Sequence, residues 1–138
     1  MRRHAAGWAL MIVAGAAASC RQEVTVPLGS PFEIAAGQSV LVAGTDLRLH
    51  FDHVVADSRC PRGVTCIAAG EAVVAVDAGN TGRREMLELH LPGGETLQPS
   101  APETYAGYRI RIRALEPAPL AGVRPDSTAY TATLVVDR

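Results

Sequence analysis

The chain has 138 residues, is 48% hydrophobic and 20% charged, and sets 13 Lys plus Arg against 14 Asp plus Glu for a formal charge of −1. That length fits a single domain with a core of its own. So balanced a charge, with no strongly basic stretch, argues against a nucleic-acid partner. Trp8 is the only tryptophan, so an aromatic platform for carbohydrate finds no support beyond the first residues.

The first element reads as a leader. Arg2 and Arg3 precede an uncharged apolar run from Ala5 to Ala18. Charge followed by such a run is the layout of an export signal, with the arginines kept on the cytoplasmic side. The run of 14 residues falls short of the roughly 20 that span a bilayer as a permanent helix. The segment Ala17-Ala18-Ser19-Cys20 resembles the site cut by lipoprotein signal peptidase, although that family prefers Leu where this chain has Ala17. The resemblance implies removal of residues 1–19, a diacylglyceryl thioether on Cys20 and, as a rule, acylation of the new N-terminus. Membrane lipid is then a partner, since two or more acyl chains hold firmly where one does not. An ordinary secretory leader cut nearby is the alternative, and it leaves Cys20 a free thiol. Arg21, in place of the Asp that often retains lipoproteins in the inner membrane, favours the outer membrane by analogy.

Cysteine parity points the same way. The chain has three cysteines, Cys20, Cys60 and Cys66, and an odd number in an exported protein calls for an explanation. Acylation accounts for Cys20 and leaves Cys60 and Cys66 to pair in an oxidising compartment. The mature chain is 119 residues, and losing Arg2 and Arg3 leaves 11 Arg against the 14 acids, a formal charge of −3.

Beyond Cys20 no segment keeps a 3.6-residue apolar period, whereas period two recurs. Residues 20–29 read as the lipidated N-terminus and a short tether, or as a first edge strand. Phe32-Ile34 and Val40-Val42 are short strand candidates. Leu47, Leu49 and Phe51 alternate with Arg48, His50 and Asp52. Ala72 to Val76 is apolar on both faces and predicts a central strand. Gly79-Asn80-Thr81-Gly82 is a hairpin signal, because Gly and Asn tolerate positive φ. Leu87, Leu89 and Leu91 alternate with Glu88 and His90. Tyr108, Ile110 and Ile112 alternate with Arg109, Arg111 and Arg113, and the closing strand runs from Tyr130 to Val136. Pro117, Pro119 and Pro125 mark a long loop over residues 116–127. The expectation is all-β: residues 30–138 form one antiparallel two-sheet sandwich of seven or eight strands, of which the immunoglobulin arrangement is one form.

One local motif stands out: Asp57-Ser58-Arg59-Cys60-Pro61-Arg62-Gly63-Val64-Thr65-Cys66, followed by Gly70-Glu71-Ala72. Its spacing is neither that of a CxxC redox pair nor that of paired zinc knuckles, so a structural staple is expected. Closing so short a loop constrains the unfolded chain by roughly 2–2.5 kcal/mol. The motif resembles one in small uncharacterised bacterial secreted proteins and lipoproteins. Weaker likeness runs through Gly37-Gln38-Ser39-Val40, Phe51-Asp52-His53-Val54 and the closing strand. Ala68 stands where members often carry Trp. The resemblance implies export and a β fold and supplies no catalytic residue.

Asp57, Arg59 and Arg62 form a candidate binding loop, presenting guanidinium groups to an anionic or carboxylate partner. The competing expectation is that Asp57 and Arg59 pair locally. His50, His53 and His90 are weak candidates for a metal, but no two of them have dedicated ligand spacing, so no metal or other cofactor is expected. The row Arg109, Arg111 and Arg113 is a candidate anion stripe, or else a solvated face balanced by an acid such as Glu88. No nucleophile elbow, phosphate loop or HExxH is present. The leading expectation is a non-enzymatic envelope lipoprotein that binds or scaffolds another envelope component. Alternatives are a periplasmic metal-binding module on the three histidines, and a protease-inhibitor-like immunoglobulin domain using residues 91–96 and 116–127, as chagasin-type inhibitors use loops.

Overall fold

The computed structural model describes residues 23–94 and 100–138. The leader, Cys20 and the stretch 95–99 lie outside the described residues. Nine strands form: β1 (Val24–Val26), β2 (Phe32–Ala35), β3 (Ser39–Val42), β4 (Arg48–Asp57), β5 (Glu71–Gly79), β6 (Arg84–Pro92), β7 (Glu103–Tyr105), β8 (Tyr108–Glu116) and β9 (Thr131–Asp137). They make two sheets, β1-β3-β4-β5-β6 and β2-β9-β8-β7. Every pairing is antiparallel except that of β1 with β3.

The alternation explains the sandwich. Leu49 and Phe51 on β4, Val74 and Val76 on β5, and Leu87 and Leu89 on β6 point to one side, against Ile34, Ile110, Ile112, Leu134 and Val136 from the other sheet. Burying one such aliphatic side chain contributes about 1.5–3 kcal/mol, so the interleaved rows fix the register of both sheets. On β5 the outward residues Val73 and Ala75 are buried as well, as expected of a strand flanked on both sides.

The structure adds to the sequence reading in three places. The described part of residues 20–29 holds an edge strand, β1, paired parallel to β3. The strand expected to end near Asp52 continues to Asp57 through two register shifts, between Phe51 and His53 and between Val54 and Ala56. Each shift breaks the period-two pattern, which hides the extension. Strand β7 escaped because it is three residues long and its turn to β8 lacks a sequence signal. That turn puts Ala106 at φ 48° and Gly107 at φ 84°, a two-residue connection that normally selects Asn-Gly. Alanine in the left-handed region is strained, so Ala106→Asn is expected to stabilise the fold by roughly 0.5–1 kcal/mol. A denaturant midpoint at or below that of the parent would count against this reading of the turn.

Candidate functional site

Three connections meet at one end of the sandwich: 58–70 between β4 and β5, residues 93 and 94 where the chain leaves β6, and 117–130 between β8 and β9. Their main chains are tied together. Gly93 N donates to Gly70 O at 2.9 Å, and Arg62 N donates to Pro119 O at 3.0 Å. The neck of the first loop is closed by Ser58 N to Glu71 O at 2.8 Å and Cys60 N to Ala69 O at 3.0 Å. Cys60 and Cys66 form the disulfide, with their Cα atoms 5.9 Å apart. Two glycines of this end sit where nothing larger fits. A Cβ on Gly70, whose φ is +70°, would lie 1.8 Å from Ser58 O, and one on Gly93 would lie 2.2 Å from Ala69 O.

Asp57 and Arg59 are turned inward and matched. Arg59 donates from Nε to Asp57 Oδ1 at 2.8 Å and from Nη2 to Asp57 Oδ2 at 2.7 Å, a two-pronged ion pair. It also donates from Nη1 to Leu115 O at 2.7 Å and from Nη2 to Pro117 O at 3.2 Å. The Tyr130 hydroxyl donates to Asp57 Oδ2 at 3.5 Å. The two side chains are only 12% and 10% exposed. Burial pushes the Asp57 carboxyl up, but the hydrogen bonds and charge of Arg59 outweigh it and leave it below its ordinary value. Burial, then the Asp57 charge, pushes the Tyr130 phenol up. This is a clamp between the cysteine loop and the end of β8, not a pair of groups offered to a partner. Of the three candidate loop residues, only Arg62 faces solvent, 70% exposed and 4.0 Å from Glu116.

Two grooves lie side by side at this end, sharing Arg59, Pro61 and Pro119 in their linings. The first, about 640 Å³, lies between the upper part of β4 and the β8–β9 loop. Val55, Leu120 and Val123 wall it, Asp57, Arg59 and Tyr130 line it, and Arg124 completes it. The second, about 610 Å³, is lined by Arg62, Val64, Leu91, Arg113 and Glu116 among others. Of the eight large apolar side chains exposed among the described residues, five lie at this end: Val55, Val64, Ile67, Leu120 and Val123. A concentration of exposed apolar surface is the usual mark of an interaction site. Sequence reasoning named the loop 116–127 but singled out none of Leu120, Val123 and Arg124, because isolated side chains in a proline-rich loop carry no periodic signal.

The three histidines do not converge on one position: His50 Nε2 and His53 Nδ1 share the Asp52 carboxylate, at 3.7 Å and 2.6 Å, while His90 lies apart. All three lie on the outer face of the five-stranded sheet, each beside a local partner. His50 Nδ1 is 3.0 Å from Ser39 Oγ, His53 Nδ1 is 2.6 Å from Asp52 Oδ2, and His90 Nδ1 is 3.2 Å from Glu71 Oε2. His50 pairs with Asp77 and His90 with Val73. They are thus two strands, about 10 Å, across and four residues, about 13 Å, along from each other. Among the described residues no three His, Cys, Asp or Glu side chains converge on a metal position.

The arginine row is also divided. Arg109 Nη2 donates to Arg138 O at 3.0 Å, and Arg111 Nη2 lies 3.6 Å from Asp137 Oδ2. The balancing acid is therefore Asp137 on the neighbouring β9. Glu88 lies on β6 in the other sheet, opposite Ala75. A register shift between Ile112 and Ala114 interrupts the row, and Arg113 lines the second groove.

In comparison with known proteins, no family model matches this chain, no characterised relative matches it and no solved structure matches it.

Proposed function

We propose that this protein is a non-enzymatic envelope lipoprotein, held by an acylated Cys20, whose loop end binds another envelope protein. One structural observation carries the binding half of the reading: exposed apolar side chains and two grooves gather at a single end braced by a disulfide and a buried ion pair. Rigid loops on a sheet scaffold keep binding groups in place without an ordering cost on association. The anchoring half rests on the sequence, through the run Ala5 to Ala18, the Ala17-Ala18-Ser19-Cys20 segment and the odd cysteine. Periplasmic exposure at the outer membrane is the location it favours.

The anchor has a direct test. Mass spectrometry of the mature N-terminus is expected to find Cys20 first and acylated, and Cys20→Ser to move the protein from the membrane fraction to the soluble one. An unacylated chain starting elsewhere would end this half of the proposal.

A second reading draws on the same convergence. The residues expected of an inhibitor, 91–94 and 116–127, reach the same end as the cysteine loop, while residues 95 and 96 lie outside the described residues. Failure to inhibit a panel of cysteine proteases at micromolar concentration would remove it.

A further inference from the structure

We infer that the partner enters the first groove as an extended polypeptide segment and adds to β4 as a new strand. The inference rests on the binding role proposed above and names the chemistry of its partner. Strand β4 pairs with β5 along its whole length, from Arg48 opposite Gly79 to Asp57 opposite Ala72. On its other edge it pairs with β3 only as far as His50 opposite Ser39. The β2–β3 turn then closes that edge at Phe51: Phe51 N donates to Gln38 O at 3.1 Å, and Gly37 N donates to Phe51 O at 2.7 Å. Beyond Phe51 no backbone hydrogen bond among the described residues reaches this edge. An open run of N–H and C=O groups is a template for another strand.

The groove lies along that run. Val54, Val55, Ala56 and Asp57 form one side of it and the β8–β9 loop the other. The register shift between Val54 and Ala56 leaves Val55 46% exposed, while Leu120 at 52% and Val123 at 58% are exposed on the far wall. An added strand would thus find a backbone edge on one side and aliphatic surface on both. The charges fit one kind of segment. Asp57 and Arg59 cancel, so Arg124 leaves the groove lining with a single positive charge. The segment that matches is extended, carries aliphatic side chains at alternate positions and sets one carboxylate toward Arg124.

The test uses the full mature chain in mild detergent and a displayed library of random peptides about nine residues long. Selected peptides are expected to alternate aliphatic residues and to include an Asp or Glu. Binding is expected to slow amide hydrogen exchange on the open edge of residues 53–57 by about tenfold or more. N-methylating alternate peptide amides is expected to weaken affinity by about tenfold, because the methyl groups remove the ladder donors. Arg124→Glu, an exposed change, is expected to weaken acidic peptides by about fivefold and leave their Gln analogues within about twofold. Peptides that bind but slow exchange only elsewhere, for example around Val64 and Ile67, would overturn strand addition and leave the loop-end reading standing. No enriched peptide at all would overturn both. Self-association of the chain with the same amides slowed would assign the edge to a second copy and overturn the inference.

Discussion

Gly70→Ala is expected to destabilise the protein by roughly 3–5 kcal/mol, most of the margin of a small domain. Two separate costs meet at this position. The backbone is at φ +70°, where alanine is strained by roughly 1–2 kcal/mol. The added methyl would also sit 1.8 Å from the Ser58 carbonyl oxygen, which is main chain and cannot swing aside. Relieving the contact means parting Ser58 from Glu71 or Gly93 from Gly70, both of which close the loop end. Gly63→Ala separates the two costs. Gly63 has φ +77°, but its Cβ would have open space around it, so only the strain of about 1–2 kcal/mol is expected there. Equal losses in the two variants, measured by denaturant unfolding, would show that the Ser58 contact yields easily.

Arg59→Met is expected to cost about 2–4 kcal/mol at neutral pH, below the upper range for buried pairs because both side chains keep some exposure. The loss comes chiefly from stranding the Asp57 carboxylate in a site that burial disfavours, and from leaving the Leu115 and Pro117 carbonyls without a donor. Asp57→Leu combined with Arg59→Met removes the stranded charge and is expected to regain part of the loss. The sign of the pH dependence follows from the clamp. In the parent the Asp57 pKa is depressed, so its contribution is fully present above the unfolded value of about 3.9 and fades as pH falls through the folded value. In the variant burial is opposed only by the backbone N–H of residue 59 and the Tyr130 hydroxyl, so the carboxyl titrates higher than in the parent. The stability gap between the two proteins should therefore be widest near neutrality and narrow in acid. A gap that stays constant down through the carboxylate range would mean that Asp57 is not the group that matters.

Much of this architecture was legible in the sequence because a half-buried strand writes its own pattern. Leu47-Leu49-Phe51, Leu87-Leu89, Ile110-Ile112 and the closing strand place the core correctly, and Cys60 and Cys66 pair as expected. What escaped was whatever depends on a departure from period two or on contact between distant segments. The two register shifts in β4 hid its upper half and with it the open edge. The Asp57–Arg59 pairing was within reach of a local argument, but the hydrogen bond from Arg59 to Leu115 joins residues 56 positions apart, and nothing nearby in sequence announces it. The same holds for the groove: Val55 belongs to one sheet, Leu120 and Val123 to a loop leaving the other. In the row Arg109, Arg111 and Arg113 the sequence pattern likewise gave no sign of the register shift between Ile112 and Ala114.

The disulfide-braced end is proposed as the place where this domain meets a partner. Site-specific photocrosslinking in living cells addresses it directly. A photoreactive residue at Val123 or Ile67, on that end, is compared with one at Met86, exposed on β6 near the opposite hairpin. A discrete protein adduct is expected from the loop-end positions and none from Met86. Adducts of equal yield from all three positions, or from Met86 alone, would contradict it.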